Sequence, residues 1–358
     1  MEHADYDLLQ SLSAHLRAPI GLDTKDCVQP IDEPLANFAI NRHRVGSILY
    51  KASQNNKNID ETARSLLASA YKKNIYDSLA QKASTEKITR LFESHDIAFL
   101  VMKGSGLAHQ LYDEPHIRLS KDIDILIPTS SSAKAIEVLN NNGFEYQSHS
   151  VRTRKQDSQA WQLTNMKVFK DLTFYDPQFS TYIELHQRLF IMEPKNLTAG
   201  FCNALAFQRT PSISNPHYCF YLILHGALCL WQRVKWVVDI SLLVRKMTMP
   251  IRLKLMELAK QYDCEDVVIS SLQFTEEIFA GSLDQDWDTI LAMYNNTSRV
   301  EKLTEVYRQT LMTTSAEHPT LKKRKPIYFD AHYLLFGKKK NILKHIHSRI
   351  MLMALRRI

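Results

Sequence analysis

The chain has 358 residues, with 45 Lys or Arg against 38 Asp or Glu, a formal charge of +7. At roughly 100–200 residues per domain such a length makes two or three structural units, and 45% hydrophobic with 23% charged residues excludes wholesale disorder. Only 9 residues are Gly, well under the usual share of about 7%. Because Gly supplies tight turns and positive φ, this disfavours an all-β fold or a large doubly wound one.

In chain order, Leu8, Leu9, Leu12 and Leu16 recur at helical spacing, and 35–52 and 60–92 do likewise, with a polar, Pro-bearing break over Thr24–Pro34. Ile97–Met102 is a short apolar run that reads as a strand, Ser105–Tyr112 is helical again, and Asp122–Ile127 alternates strictly as a strand does. Ser130–Asn142 is a helix with Ser residues as candidate caps and Gly143 at its stop. Val168–Tyr175 and Thr181–His186 read as two strands joined by a turn over Asp176-Pro177-Gln178-Phe179. From about 195 helical patterning continues to the end, and no internal repeat is present. The expected fold is therefore α+β, a small mixed β-sheet embedded in a predominantly helical protein. Its segments are a helical 1–94, a strand-bearing core at 95–192, a helical 193–319 and a basic helical tail at 320–358.

The five cysteines, Cys27, Cys202, Cys219, Cys229 and Cys264, form no CxxC pair, which argues against a disulfide framework or a Cys-rich zinc site. The opening MEHADYDLLQ lacks the basic start and apolar run of a signal peptide. The longest apolar stretch, Tyr218–Trp231, has 14 residues and is too short to span a bilayer. A cytoplasmic location is expected.

Charge is uneven. Residues 320–358 hold 11 Lys or Arg against Asp330 alone, a net +10, so the remainder carries −3. Within the tail, 342–355 has apolar residues at helical spacing with basic flanks. It suits an interfacial helix on acidic lipid, an RNA-phosphate patch, or a C-terminal helix packed on the body with solvated charges.

The chemistry-bearing segment is Lys103-Gly104-Ser105, then Arg118, then Asp122-Ile123-Asp124-Ile125-Leu126. Strand side chains alternate between faces, so Asp122 and Asp124 share one face and Ile123 and Ile125 the other. Carboxylates about 7 Å apart along a strand repel unless a cation lies between them, and hard oxygen ligands suit Mg²⁺ held together with substrate phosphates. In Tyr182-Ile183-Glu184-Leu185-His186, Glu184 and His186 share a face. Should this strand neighbour the Asp strand, three carboxylates converge and could hold two metals. Gly104-Ser105 lies between a strand and a helix, where bare backbone N–H groups can take a phosphate. His225 and Asp239, on successive helices, are expected to form a structural Asp–His pair, with Trp231 and Trp236 in the core.

A Gly-Ser turn, an Asp-x-Asp strand and a lone acid on a later strand resemble the polymerase-beta-type nucleotidyltransferase superfamily. More narrowly, Leu100-Val101-Met102-Lys103-Gly104-Ser105-Gly106-Leu107, Leu111-Tyr112, Pro115, Arg118 and the Asp122–Leu126 strand look like a bacterial family of uncharacterised nucleotidyltransferases. Ile183-Glu184-Leu185-His186, His225 with Val234–Ile240, and Asn41-Arg42-His43-Arg44-Val45 are similar to other segments of that family, so the resemblance covers roughly 40–245. The gap from Gly104 to Asp122 is longer than in the compact members of the superfamily.

The resemblance implies a nucleotidyltransferase core at 95–192 that moves NMP from an NTP such as ATP to an acceptor hydroxyl, releasing pyrophosphate. Asp122, Asp124 and Glu184 would be catalytic and hold Mg²⁺, with Mn²⁺ as the alternative. Lys103, Gly104, Ser105 and Arg118 would bind the nucleotide, and His186 would contact substrate or act as a base. A protein, an RNA end, a sugar phosphate or another small molecule would serve as acceptor. The competing expectation is a helical adaptor with an idle site, binding RNA or acidic membrane through 320–358.

Overall fold

The computed structural model describes residues 2–22, 29–147, 158–168, 170–190, 193–294 and 297–312. The basic tail at 320–358, and with it the lipid, RNA and packing readings, lies outside the described residues, as does Cys27.

In order, the elements are α1 (Glu2–Leu16), α2 (Glu33–Asn37), α3 (Gly46–Ser53), α4 (Glu61–Ser94), β1 (Phe99–Val101), α5 (Ser105–Leu111) and β2 (Asp122–Leu126). There follow α6 (Ser132–Asn141), β3 (Glu145–Gln147), α7 (Gln159–Val168), β4 (Asp171–Asp176), β5 (Thr181–His186), α8 (Leu197–Leu205) and β6 (Gln208–Arg209). The remaining described residues are helical: α9 (Pro216–Leu228), α10 (Val234–Lys246), α11 (Met249–Gln261), α12 (Glu265–Ile278), α13 (Gln285–Ala292) and α14 (Ser298–Met312). The chain is thus α+β, with one mixed sheet in a largely helical protein. No described helix is long and apolar enough to cross a membrane.

The fold divides into two compact units. Among the described residues, one is drawn from residues up to 75, from 111–119 and from 213–312; the other takes 76–110 and 120–212. The second unit holds the sheet, whose strand order is β3-β4-β5-β2-β1-β6. β2 and β5 run parallel at its centre, β4 pairs antiparallel with β5 and with β3, and β1 pairs antiparallel with β2 and parallel with β6.

Alternation decides which sheet face is dry. Ile123 and Ile125 of β2, Leu172 and Phe174 of β4, and Ile183 and Leu185 of β5 all point to one side. There they meet Ile88 and Phe92 of α4, Ala135, Ile136 and Leu139 of α6, and Met166 of α7. Burying each large side chain contributes roughly 1.5–3 kcal/mol. The same core fixes the register, because a one-residue slip of β2 would drive Asp122 and Asp124 into it. The residues between them are left on the opposite, polar face.

The other unit is helical around Trp231, Phe274 and Tyr307, all fully buried; Tyr307 meets the Trp231 and Phe274 rings, and Trp231 Nε1 donates to Ser271 Oγ at 3.3 Å. The helix expected over 35–52 is broken here. α2 passes into a π-helical turn at Phe38–His43, Arg44 takes the left-handed conformation at φ 58, and α3 starts afresh at Gly46. That turn aims the Arg42 guanidinium at the carbonyls of Gln232 and Thr310 and lets His43 Nδ1 accept the Val234 N–H at 3.2 Å.

Candidate active site

β1 is wholly buried and carries the chain to Met102, whose N–H donates to the Asp124 carbonyl at 2.9 Å. Gly104 then turns at φ +72, and a would-be Cβ would meet only ordinary contacts, Ser120 Oγ at 3.7 Å and the Asp122 carbonyl at 3.9 Å, so it is the backbone conformation that demands glycine there. α5 begins at the next residue, and the first N–H groups of a helix have no intrahelical partner. Gly106 is required for a different reason: a Cβ there would lie 2.5 Å from Thr210 Cγ2.

Parallel pairing of β2 with β5 sets Asp122 opposite Tyr182, Asp124 opposite Glu184 and Leu126 opposite His186. The β4–β5 hairpin adds Thr173 opposite Glu184 and Asp171 opposite His186. Ligand atoms of Asp124, Glu184 and His186 consequently lie within 4.8 Å of one another. His186 Nε2 is 3.2 Å from Asp124 Oδ1 and 3.3 Å from Glu184 Oε2, while its Nδ1 lies 3.7 Å from Asp171 Oδ2. Lys103 Nζ reaches Asp124 Oδ1 at 3.1 Å; Lys170 Nζ pairs with Asp171 and lies 3.6 Å from Glu184 Oε2.

These acids therefore stand among three basic groups, and their protonation follows. Burial would push the Glu184 carboxyl up and Asp124 repels its charge, but the His186 hydrogen bond and Lys170 outweigh both and hold it at about 2. For His186, burial and Lys170 act to strip the proton, yet hydrogen bonds to Asp124 and Glu184 with the charge of Asp171 raise its pKa above the ordinary value. Lys170 is likewise raised: burial opposes its charge and Asp171 and Glu184 overcome that. Carboxylates at this spacing need counter-cations, and here the protein supplies them.

Asp122 shares the polar face, one step along β2 and half-buried, outside the Asp124–Glu184–His186 group. Arg118 is counted with the helical unit, where it is buried and makes a bidentate pair with Asp239, 2.8 Å at both contacts. Asp239 also accepts from Tyr112 Oη at 2.7 Å. The expected His225–Asp239 pair is thus replaced, because a guanidinium fork matches both carboxylate oxygens where an imidazole satisfies one; His225 stands edge-on to Trp236. Asp171 and Lys170 were not among the expected site residues. Counting back from the turn at 177–180 brings Asp171 opposite His186, which was the available signal.

Two carboxylates and an imidazole nitrogen form a donor set that fits a divalent cation. The oxygens suit Mg²⁺, and the mixed oxygen–nitrogen set also suits Mn²⁺.

A model of the family described as "Uncharacterised nucleotidyltransferase" matches residues 31–280. No curated protein and no solved structure matches the chain. The family match takes in the glycine turn, the Asp122–Leu126 strand, the Thr181–His186 strand and the Arg118–Asp239 pair. Spanning well over half of the sequence, it establishes that the chain belongs to the uncharacterised nucleotidyltransferase family and is a transferase enzyme.

Proposed function

We propose that the protein transfers NMP from an NTP to an acceptor hydroxyl in a divalent-metal-dependent reaction. The acceptor oxygen forms a bond to the α-phosphorus, the bond to the β-phosphate oxygen breaks, and pyrophosphate leaves with the hydroxyl proton passing to solvent or a nearby base. One observation carries this reading: Asp124 and Glu184 sit side by side on parallel strands, next to the Lys103-Gly104-Ser105 turn.

In this reading Asp122, Asp124 and Glu184 hold the cation, with His186 as a nitrogen donor beside them. A bound Mg²⁺ or Mn²⁺ would neutralise charge on the triphosphate and polarise the acceptor hydroxyl. Ser105 and Gly106 offer backbone N–H groups to phosphate oxygens, and the Lys103 ammonium turns from Asp124 toward the same charge. Glu184, ionised at neutral pH, accepts a hydrogen bond from the acceptor hydroxyl and so orients it for attack. Such chemistry is mostly positioning and charge neutralisation, which needs no covalent nucleophile. Arg118, committed to Asp239, is given no phosphate role.

The test is a thermal shift with each NTP, with and without Mg²⁺, on the wild type and on the Asp122→Asn, Asp124→Asn double variant. Metal-dependent stabilisation is expected for the wild type alone. Equal stabilisation of the double variant would overturn the reading. Incubation with each α-labelled NTP, Mg²⁺ and a cell lysate then shows which class of acceptor takes the label.

A further inference from the structure

Beside the carboxylates the polar sheet face carries an aromatic pair. β4 and β5 set Tyr175 directly opposite Tyr182, their ring centroids 5.1 Å apart and tilted by 48°. On the far side of Tyr182 the facing residue of β2 is Asp122, so Tyr175, Tyr182 and Asp122 form one row across the sheet. The next row is Thr173, Glu184 and Asp124. The two rows are about 7 Å apart, the rise of two strand residues.

A cross-strand tyrosine pair stabilises a hairpin by up to about 1 kcal/mol, and that alone does not require an open ring. Yet Tyr182 is 48% exposed, while Ile183 and Leu185 on the same strand are fully buried. Among the described residues neither tyrosine hydroxyl has a hydrogen-bond partner, and the two rings pack against each other. The sheet therefore presents an aromatic face to solvent at one sugar's length from the carboxylate row. A nucleotide has the same layout: a planar base at one end, a ribose, and the reacting oxygen or phosphate beyond it.

We propose that Tyr175 and Tyr182 form a stacking ledge for a nucleobase, whose sugar then lies over Asp122 and Glu184. The ledge tolerates any base, because every base has a π-face and the stack carries no hydrogen-bond code. The base belongs either to the donor NTP or to the nucleotide that bears the acceptor hydroxyl. This inference rests on the nucleotidyltransferase reading of the carboxylates.

Calorimetric titration of the full chain in Mg²⁺ separates the cases, using ATP, GTP, CTP and UTP, tripolyphosphate as a probe without a base, and a tetraribonucleotide. Tyr182→Ala is expected to weaken one of the base-bearing probes about tenfold, or about 1.4 kcal/mol, within what one base–aromatic stack supplies. Tripolyphosphate binding should be unchanged, and Tyr182→Phe should bind as the wild type does. Weakening of the NTPs assigns the ledge to the donor base; weakening of the oligoribonucleotide with NTP affinity intact assigns it to the acceptor. If Tyr182→Ala binds every probe as the wild type does, the ledge is overturned. Failure of the wild type to bind either NTP or tripolyphosphate would instead overturn the reading of the carboxylates, and the ledge with it.

Discussion

Asp124 Oδ1 is reached by two basic groups at once, Lys103 Nζ at 3.1 Å and His186 Nε2 at 3.2 Å. Asp124 is 4% exposed and Lys103 and His186 are themselves largely buried, so both depend on this carboxylate as a partner. Mutual repulsion between Asp122 and Asp124 would by itself make their removal stabilising. The buried partners reverse that expectation for Asp124. Asp124→Asn should lower the stability of the metal-free protein by about 1–3 kcal/mol, the cost of leaving buried charged groups under-paired. Urea unfolding with a chelator present measures it, and a variant as stable as the wild type would show that the cluster carries excess negative charge.

Glu184 is expected to matter for turnover and not for the fold. Ile183 and Leu185, both fully buried, anchor β5, while the carboxyl between them faces the polar side. Glu184→Gln preserves size and hydrogen-bonding capacity but removes the charge. NTP binding through Asp122 and Asp124 should persist, with turnover falling about 10²-fold or more, of the order of 2.7 kcal/mol in the barrier. Pyrophosphate release under single-turnover conditions reads this directly. Normal turnover would shift the third-carboxylate role to Asp171, which lies across the hairpin from His186.

How far the sequence reaches is visible at these same strands. Period-2 alternation separated Asp122 and Asp124 from Ile123 and Ile125, and Glu184 and His186 from Ile183 and Leu185, because a one-sided core imposes that pattern. Asp171 was missed because the turn lies at 177–180, one residue later than the 176–179 expected, and pairing counted from the earlier turn does not set it opposite His186. β6 has two exposed residues, Gln208 and Arg209, held in the sheet by backbone pairing with β1, which leaves no hydrophobic trace. α7 buries Gln162 and Asn165, and polar residues on the inner face blur a helical period. The Arg118–Asp239 pair joins residues 121 apart, and local patterning carries no information about such a contact.

Asp176 tests the distinction between acids that serve the site and acids that serve the fold. It ends β4 fully buried, its carboxylate accepting from Ser84 Oγ at 2.8 Å, Lys87 Nζ at 3.0 Å and the Gln178 N–H at 3.1 Å. Those bonds tie the β4–β5 turn to α4 on the core side of the sheet. Asp176→Ala should cost about 3–5 kcal/mol, as breaking a buried ion pair does, while the variant that remains folded at low temperature binds Mg²⁺–NTP normally. Loss of nucleotide affinity in folded Asp176→Ala would place this carboxylate in the site after all.

Acid sensitivity is expected from a buried histidine in the helical unit. His43 is fully buried; its Nδ1 accepts the Val234 N–H at 3.2 Å, which puts the ring proton on Nε2, and Phe38 packs edge-on at 4.4 Å. Burial, and then the charges of Arg42 and Arg233, hold its pKa well below the ordinary 6.5. The folded protein therefore keeps the ring neutral, whereas the unfolded chain takes up a proton below about pH 6.5. Since the unfolded state then binds more protons, stability is complete above that pH. Below it, the loss approaches about 1.4 kcal/mol per pH unit until the folded-state pKa is reached. His43→Gln retains an acceptor for Val234 and cannot titrate. Its own stability is expected to be lower at pH 7.5, but to fall less steeply than that of the wild type between pH 6.5 and 5. Urea unfolding followed by the fluorescence of buried Trp231 gives both curves. Groups that titrate elsewhere are common to the two proteins, so the difference in slope belongs to His43. Parallel curves would mean that the buried ring is protonated in the fold, and that the Val234 N–H points at something other than a lone pair.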